Sequence, residues 1–394
     1  MGGAAISGTV APGWEPVREA FASNWSRADA EEVGAAVAVY HRGRMVVDLH
    51  GGWFDESHSA PYGADTLQLV FSTTKGITAI AVAMCVQRGL LDYDALVTEY
   101  WPEFAAAGKA GVTVGQLLSH QAGIYTVDAP ITLDEALDLP TVTARLAAQA
   151  PYWEPGTAHG YHALTYGWLA GELVRRVDPA HRTLGRFVAD EIVAPLDAEL
   201  WIGLPEALET RVSPIIPAPV PTDPAVLAMM EQFMGPNSPA GKALTLSGAF
   251  THGEFGAFNS RRVHAAEIPA ANGITNARSL ARIYAATIGT VDGVRLLDDA
   301  VVERARRTVT PPGEPDQCLV FPTTFGMGFM THGSFTPFAG PGSFGHDGAG
   351  GSEAFALPER DLAVAYAMNR MTGNIVNDQR AHSLAMAAAA CAAA

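Results

Sequence analysis

The residues best suited to chemistry begin at Ser72, which is followed three positions later by Lys75. The chain has only three lysines, Lys75, Lys109 and Lys242, and no other serine is followed by a lysine at this spacing. This spacing on a helix places two side chains on one face, within reach of each other. A serine hydroxyl needs an adjacent base to become a nucleophile, and a lysine can be that base when burial lowers its pKa. The alternative is an ordinary helix start, in which Ser72 or Thr73 caps the helix and the lysine is exposed.

The segments around and after this pair have the apolar periodicity of helices. The run ITAIAVAMCVQRGL follows the lysine almost directly and would bury this helix in the core, at the base of a cleft. The same periodicity marks four later segments: TVGQLLSH, LPTVTARLAAQA, YGWLAGELVRRV and LGRFVADEIV. Together they predict a long, mostly helical stretch in the middle of the chain.

Strand patterns lie toward both ends. Residues 34–50 contain two apolar runs separated by a charged, glycine-containing turn, which predicts a β-hairpin. Near the other end, FGMGFMT, SEAFAL and DLAVAYAMN predict three more strands. We therefore predict an α/β (α+β) fold, in which an antiparallel sheet built from both termini is flanked by helices. Residues 1–70 and 265–394 would form the sheet domain, and residues 71–264 an inserted, mostly helical region.

Two long segments lack helix or strand patterns. Residues 203–224 hold six prolines, and because proline removes a backbone donor we predict a surface loop there. Such a loop could be a functional lid or a plain connector. Residues 308–324 predict a second loop. We expect the walls of a substrate pocket to come from the proline-rich loop and from residues 245–275.

Composition excludes several functions. Hydrophobic residues make up 48% of the 394 positions and charged residues 17%, which is typical of a globular protein. The formal net charge of −16, without a basic run, argues against binding to nucleic acid or to an anionic membrane surface. The N-terminal residues lack a secretion signal, and the three cysteines are too far apart for a disulfide framework or zinc cluster. We expect a cytoplasmic protein with a small-molecule substrate.

Four motifs occur in an order typical of one family. FSTTKG contains the serine and lysine, LLSHQAG follows at 117–123, PGTAHGYHA at 155–163 and GHDGAGG at 345–351. In this order and spacing they resemble the serine β-lactamase-like family, which includes class C β-lactamases, penicillin-binding proteins, D-amino-acid peptidases and β-lactamase-like carboxylesterases. The resemblance runs from the first hairpin to the last strand. It implies a β-lactamase/transpeptidase-like fold and a serine hydrolase that forms an acyl-enzyme.

The resemblance assigns roles to particular residues. Ser72 would be the nucleophile and Lys75 its activating partner. Tyr161, which follows the Pro-Gly-Thr turn, would help to move the proton to the leaving group. Its pKa could be pulled toward neutrality by a nearby lysine ammonium. Tyr152 and Tyr166 are competitors for this role, and Tyr161 is favoured only by its place after the turn.

The motif near the C-terminus implies the remaining site residues. His346 stands where the family has the lysine of Lys-Thr-Gly, and we expect it to bind substrate as a neighbour of the nucleophile rather than as the main base. Gly348 would let the substrate approach the strand backbone closely. By analogy, the backbone amides of Ser72 and Ala349 would form the oxyanion hole.

Two departures from the family pattern bear on the substrate. His346 replaces the cation with which β-lactamases recognise a carboxylate, and Ala163 replaces an asparagine that would hydrogen-bond a lactam side chain. Without this cation and this amide, a site binds β-lactams less selectively. We therefore expect small carboxylic esters. An amide or lactam hydrolase (β-lactamase, D-aminopeptidase or oligoamide hydrolase), an acyltransferase and a slowly acylated β-lactam sensor remain alternatives.

Other motifs are absent or out of context. Gly-x-Ser-x-Gly, the nucleophile elbow of α/β-hydrolases, does not occur. Residues 340–345 match a dinucleotide fingerprint but do not open a helix, and residues 235–242 do not have P-loop spacing. His159 and His162 form a pair without an evident third ligand. We expect neither a cofactor nor a metal.

Overall fold

The computed structural model describes residues 5–27, 32–128, 130–250, 255–373 and 378–393. Strands occur mostly near the two ends of the chain. They are β1 Ile6–Val10, β2 Gly34–His41, β3 Arg44–Gly52, β4 Leu67–Leu69, β5 Leu200–Trp201, β6 Val212–Ser213, β7 Ile274–Thr275, β8 Met330–Thr331, β9 Phe344–Asp347, β10 Glu353–Leu357 and β11 Leu362–Met368.

Helices fill most of the middle of the chain and also cover the sheet. They are α1 Glu15–Ser23, α2 Thr74–Gln87, α3 Val97–Tyr100, α4 Val114–Leu118, α5 Leu133–Leu137, α6 Leu139–Ala148, α7 Thr165–Val177, α8 Leu184–Val188, α9 Pro224–Met234, α10 Pro239–Thr245, α11 Arg261–Ala265, α12 Ala277–Ile288, α13 Asp299–Arg306 and α14 Gln379–Ala393. The helical segments predicted from periodicity correspond to α2, α4, α6, α7 and α8.

Seven of the described strands form one antiparallel sheet in the order β1-β3-β2-β11-β10-β9-β8. The two ends of the chain meet where β2 pairs with β11, in a register that runs from Leu362 opposite His41 to Met368 opposite Ala35. The predicted fold class is therefore confirmed. The predicted hairpin is also present, and the left-handed backbone of Arg42 and Gly43 provides its two-residue turn.

The sheet has a buried layer on each face, because side chains alternate between faces along a strand. The small side chains of β11, Ala363, Ala365 and Ala367, join the core that contains α12. Its larger side chains Val364 and Tyr366 join a second core that contains α1 and α14. Every residue of β11 is buried, so this strand forms the rigid centre of the sheet.

Helix α2 lies at the centre of the molecule and carries the predicted chemistry at its start. All its residues from Thr74 to Cys85 are buried, and it packs against α7, α8, α13 and β9. A helix that is apolar on all sides is stable only inside a core. The division into a sheet domain and a helical region stays a prediction, since short strands β5 and β6 fall within the helical part of the chain.

Of the two segments predicted as loops, the first contains short regular elements and the second contains none. The proline-rich segment contains a short 3₁₀ turn, Glu206–Arg211, and strand β6, and its last proline begins helix α9. Residues 308–324 contain neither helix nor strand, as predicted. Part of the expected pocket wall, residues 251–254, lies outside the described residues. Within the described part of the chain, no helix is both long enough and apolar enough to cross a membrane.

Candidate active site

Ser72 lies in a tight turn between β4 and α2. The residue before it, Phe71, has a left-handed backbone with φ of 43°, a conformation that costs energy for a residue with a side chain. The Phe71 ring packs in edge-to-face contact with Phe258, with 5.1 Å between ring centroids. Backbone hydrogen bonds from Thr73 to Val70 and from Thr74 to Phe71 close the turn without using the Ser72 amide. The serine is thus presented, partly exposed, at the start of a buried helix.

Lys75 is fully buried, and its amine lies against three oxygen atoms. Nζ lies 2.9 Å from Ser72 Oγ, 2.7 Å from the carbonyl oxygen of Ala163 and 3.0 Å from that of Ala270. Burial lowers the pKa of Lys75 well below its ordinary value, and the carboxylate of Asp347 opposes this only in part. A neutral amine has two hydrogens, one for each carbonyl, and a lone pair free to accept the Ser72 proton.

Lys109 is an informative comparison for Lys75, because its buried amine has a different set of hydrogen-bond partners. It is also fully buried, but its amine donates to three carbonyl oxygens, those of Ala106, Ala147 and Gln149. Three acceptors require three N–H donors, which only the ammonium form has. Burial lowers the pKa of Lys109 to about 8, which leaves it charged at neutral pH. Lys75 differs because one of its three neighbours is itself a hydroxyl donor.

Tyr161 is buried beside this pair. Its side chain shares a hydrogen bond with Ser72, and Lys75 Nζ lies over its ring, 4.7 Å from the centroid. Burial raises the pKa of the phenol well above its ordinary value, and the hydrogen bond to Ser72 offsets this only in part. The expectation that a lysine pulls this pKa toward neutrality is therefore wrong, because desolvation of the phenol dominates. Tyr161 is a neutral hydroxyl that can donate a proton.

The competing tyrosines are occupied elsewhere. The Tyr152 hydroxyl donates to the carboxylate of Asp128. The Tyr166 hydroxyl donates to the carbonyl of Gly328 at 3.3 Å. Of the three candidates, the structure therefore brings only Tyr161 into hydrogen-bonding contact with Ser72.

Two neutral histidines hold the Tyr161 segment in place. The His162 amide donates to Nδ1 of His120 at 3.0 Å, and Nε2 of His162 accepts from the Ile124 amide at 2.9 Å. Burial lowers the pKa of His162 to about 4 and that of His120 well below its ordinary value. His159 has a different partner, since its Nε2 lies 3.2 Å from Oγ1 of Thr323.

A buried carboxylate that the sequence did not indicate also anchors this segment. Asp316 Oδ1 accepts from the Tyr161 amide at 3.0 Å and from the amides of Cys318 and Leu319 at 2.8 Å. Its Oδ2 accepts from the Thr323 hydroxyl at 2.8 Å. The loop at 308–324 is thereby tied directly to the backbone of the tyrosine. Neither residue type nor local spacing could have signalled a contact across more than 150 positions.

His346 and Asp347 end strand β9 on the other side of the site. The His346 ring lies 6.0 Å from the Tyr161 ring, and its Nδ1 donates to the Asp347 carbonyl at 2.6 Å. Burial and the nearby Lys75 lower the pKa of His346 to about 3, so the ring is neutral. Burial raises the pKa of the Asp347 carboxyl to about 6. At pH 8 this corner of the site is therefore negatively charged.

The turn after β9 carries Gly348 and Ala349. Its backbone bonds run from the Gly348 amide to the Ser352 carbonyl at 2.7 Å and from the Gly351 amide to the Gly348 carbonyl at 3.0 Å, and neither uses the Ala349 amide. A side chain on Gly348 would lie 2.4 Å from the Val70 carbonyl oxygen. We expected this glycine to admit the substrate. The structure requires this glycine for packing between this turn and the Ser72 turn, and its contact with substrate stays a prediction.

No group of three or more histidine, cysteine or acidic side chains within the described ranges has the arrangement of a metal site. The side chains that the site brings together are a buried amine, a partly exposed serine hydroxyl and a buried phenol. Such a set suits acyl transfer through a covalent intermediate.

Comparison with known proteins places the chain in a family. A family model described as Beta-lactamase matches residues 17–389. The chain belongs to the beta-lactamase family. Its relatives include the Esterase/beta-lactamase LipL of Mycobacterium tuberculosis (strain ATCC 25618 / H37Rv), which is 39% identical over 386 residues covering 95% of this chain and 85% of that protein.

Solved structures agree with this assignment. A family VIII carboxylesterase is 38% identical, with a TM-score of 0.87, and the match covers 98% of this chain and all of that one. A penicillin-binding protein homologue from Caulobacter crescentus is 37% identical, with a TM-score of 0.85 and the same coverage of this chain. The predicted family is therefore confirmed, and the protein is a hydrolase of the beta-lactamase-like type.

Proposed function

We propose that this hydrolase cleaves small carboxylic esters through an acyl-enzyme formed on Ser72. The observation that carries the proposal is the position of Lys75 Nζ, which lies 2.9 Å from Ser72 Oγ and between two carbonyl acceptors. These contacts suit a neutral amine whose lone pair faces the serine hydroxyl. The names of the relatives, a family VIII carboxylesterase and an esterase/beta-lactamase, support the same reaction class.

In the proposed first half-reaction, Lys75 accepts the Ser72 proton while Oγ bonds to the ester carbonyl carbon. The carbonyl oxygen becomes an oxyanion that the amides of Ser72 and Ala349 stabilise. Collapse of this intermediate breaks the bond to the alcohol oxygen. The Tyr161 phenol gives its proton to that oxygen and regains one from the Lys75 ammonium.

In the second half-reaction, water replaces the alcohol. Neutral Lys75 accepts a proton from the water as its oxygen bonds to the acyl carbon, and the same two amides stabilise the oxyanion. Cleavage of the bond to Oγ releases the acid, and Ser72 regains its proton from Lys75. An alcohol or amine in place of water would make the reaction an acyl transfer.

The charge of the site favours neutral esters over β-lactams that carry a carboxylate. His346 is neutral and Asp347 is an acid, so neither replaces the permanent cation of a lysine at this position. Ala163 contributes its carbonyl to Lys75 and has no amide side chain to bind a lactam substituent. β-Lactam hydrolysis is the second candidate, because the LipL relative carries both names.

The proposal is tested by intact-protein mass spectrometry after brief exposure to p-nitrophenyl butyrate, with release of p-nitrophenol followed in parallel. We expect a burst and an added butyryl mass on the wild type, and neither on Ser72→Ala. Turnover of nitrocefin measured beside the ester separates the two candidates. Undiminished ester turnover in Ser72→Ala would refute the proposed nucleophile, and a kcat/KM for nitrocefin far above that for esters would favour the β-lactamase.

A further inference from the structure

We propose that Ser352 is a positioning residue for the oxyanion hole, because it fastens the turn that carries Ala349 to the turn that carries Ser72. The inference rests on the proposed function and extends it to a residue outside the catalytic group. The two amides of the proposed oxyanion hole, those of Ser72 and Ala349, are 277 positions apart in the sequence. Their separation is therefore set where these two turns touch.

The Ser352 side chain bridges both sides of the Ser72 turn. Its hydroxyl donates to the carbonyl oxygen of Val70 at 2.8 Å, two residues before the serine. Its Oγ also lies 3.0 Å from Oγ1 of Thr73, one residue after the serine. Since a hydroxyl has one hydrogen, and Ser352 uses it for Val70, Thr73 donates in the second contact. One oxygen atom thus holds the residues that flank Ser72.

The Ser352 main chain holds the other turn. Its carbonyl accepts from the Gly348 amide at 2.7 Å, which closes the turn around Ala349. A side chain on Gly348 would lie 2.4 Å from the Val70 carbonyl oxygen and 2.9 Å from Thr73 Oγ1, so the two turns meet without spare room. Ser352 is 1% exposed and Thr73 is fully buried, so water does not substitute for these contacts.

This arrangement has a consequence for the rate. Donors in an oxyanion hole act when they lie about 2.7–3.1 Å from the oxygen of the tetrahedral intermediate, and loss of one donor costs roughly 10²–10³ in kcat. A displacement of about 1 Å can cost on the order of 10²-fold. Removing the Ser352 hydroxyl loosens the contact that sets the spacing of the two amides, while the nucleophile, base and phenol stay in place.

The test compares Ser352→Ala with Ser343→Ala. Ser343 is also buried, lies just before β9, and its hydroxyl has no hydrogen-bond partner in the described part of the chain. For p-nitrophenyl butyrate we expect Ser352→Ala to lower kcat by roughly 10- to 100-fold, with KM changed by less than about threefold. Affinity for a phenylboronic acid, which forms a tetrahedral adduct on the serine, should fall in parallel with kcat. Ser343→Ala should change none of these values by more than about twofold.

Thr73→Val provides a second variant, since it removes the other hydroxyl of the contact and keeps the side-chain shape. If Ser352→Ala does not fold, judged by circular dichroism and thermal melting, Thr73→Val alone must show the loss of kcat and of boronate affinity. When both fold, the double variant should lose less than the product of the single losses, because they break one contact.

The outcomes are distinct. If Ser352→Ala or Thr73→Val folds and keeps kcat and boronate affinity within about twofold of wild type, the inference about Ser352 is overturned and the proposed function is unaffected. Loss of kcat with unchanged boronate affinity would also overturn it, since the hole would then be intact. A wild type that forms no butyryl adduct would overturn the proposed function and this inference with it.

Discussion

Replacing Lys75 by Met tests the proposed base most directly. Methionine has a similar length, fits an apolar core and cannot accept a proton. The amine that lies 2.9 Å from Ser72 Oγ is removed, while the serine and Tyr161 remain. Any activity that depends on proton transfer from the serine must therefore fall, and substrate contacts elsewhere in the site are unchanged.

The expected loss of activity follows from the proposed role of Lys75 as a general base. General-base assistance contributes about 10²–10⁴-fold, so kcat/KM of Lys75→Met should fall by on the order of 10³-fold, or about 4 kcal/mol of transition-state stabilisation. Stability changes for a separate reason. The carbonyls of Ala163 and Ala270 lose their donor, at about 1–3 kcal/mol for each buried group left unpaired, and removal of a desolvated amine offsets part of this cost.

Lys109→Met is the matched control. This second fully buried lysine also donates to main-chain carbonyls, three rather than two, so its loss should destabilise the fold at least as much. None of its contacts involves the candidate site. The assay is release of p-nitrophenol from p-nitrophenyl butyrate by each variant, per folded molecule, with the free energy of unfolding from urea titration.

The two lysines also give unfolding a pH dependence of known sign. Because the folded pKa of Lys75 lies well below 10.5, this side chain binds more protons in the unfolded chain over that interval, and its own contribution to the free energy of unfolding rises with pH up to about 10.5. Lys75→Met removes this contribution, and Lys109→Met removes one between about 8 and 10.5. The assignment of the base would be refuted if Lys75→Met kept activity within tenfold of wild type. It would also be refuted if the activity of Lys109→Met were as low as that of Lys75→Met.

Two further predictions concern the phenol and the acidic corner. Tyr161→Phe should lower kcat by on the order of 10²-fold for ethyl butyrate but less for p-nitrophenyl butyrate, whose leaving group needs no proton; equal losses on both esters would argue against a proton donor. The Asp347 side chain is 29% exposed, and repulsion of about 1–2 kcal/mol should make the wild type prefer p-nitrophenyl valerate over mono-p-nitrophenyl glutarate by about tenfold at pH 8. Asp347→Asn should narrow that preference, as should a pH below about 6, where the carboxyl is protonated; an unchanged ratio would exclude this residue from substrate discrimination.

Local pattern was enough to predict the elements that lie close to the chemistry. The spacing of Ser72 and Lys75 predicted that their side chains meet, and the structure brings them to 2.9 Å, although Ser72 lies in the turn before the helix rather than on it. Apolar periodicity predicted the buried helix that carries Lys75. Alternating apolar runs predicted the hairpin and the strands at both ends. These features depend on neighbours within a few positions, which is the range that a sequence pattern can report.

The contacts that tune the site could not be predicted in the same way. The amine of Lys75 is oriented by the carbonyls of Ala163 and Ala270, and a main-chain oxygen has no residue type to announce it. Asp316 and Ser352 act across long stretches of chain, where only tertiary packing decides which groups meet. The direction of the Tyr161 pKa was mistaken for a related reason, since burial of the phenol follows from the whole fold.

Burial also gives a physical reason for the main-chain donors of the proposed oxyanion hole. It lowers the pKa of Lys75, His346, His120 and His162 alike, so none of these groups supplies a permanent cation to the reaction. In the proposed mechanism, the negative charge that develops on the substrate oxygen is therefore stabilised by neutral N–H groups, whose effect depends on their position rather than on charge. Only a neutral amine, and not an ammonium, can accept the serine proton. Desolvation keeps Lys75 neutral, so it leaves the site without a cation to bind anionic substrates and also gives Lys75 the protonation state that its proposed role requires. The proposed preference for neutral esters and the proposed basicity of Lys75 therefore share one physical cause, and variants that admit water beside Lys75 should weaken both together.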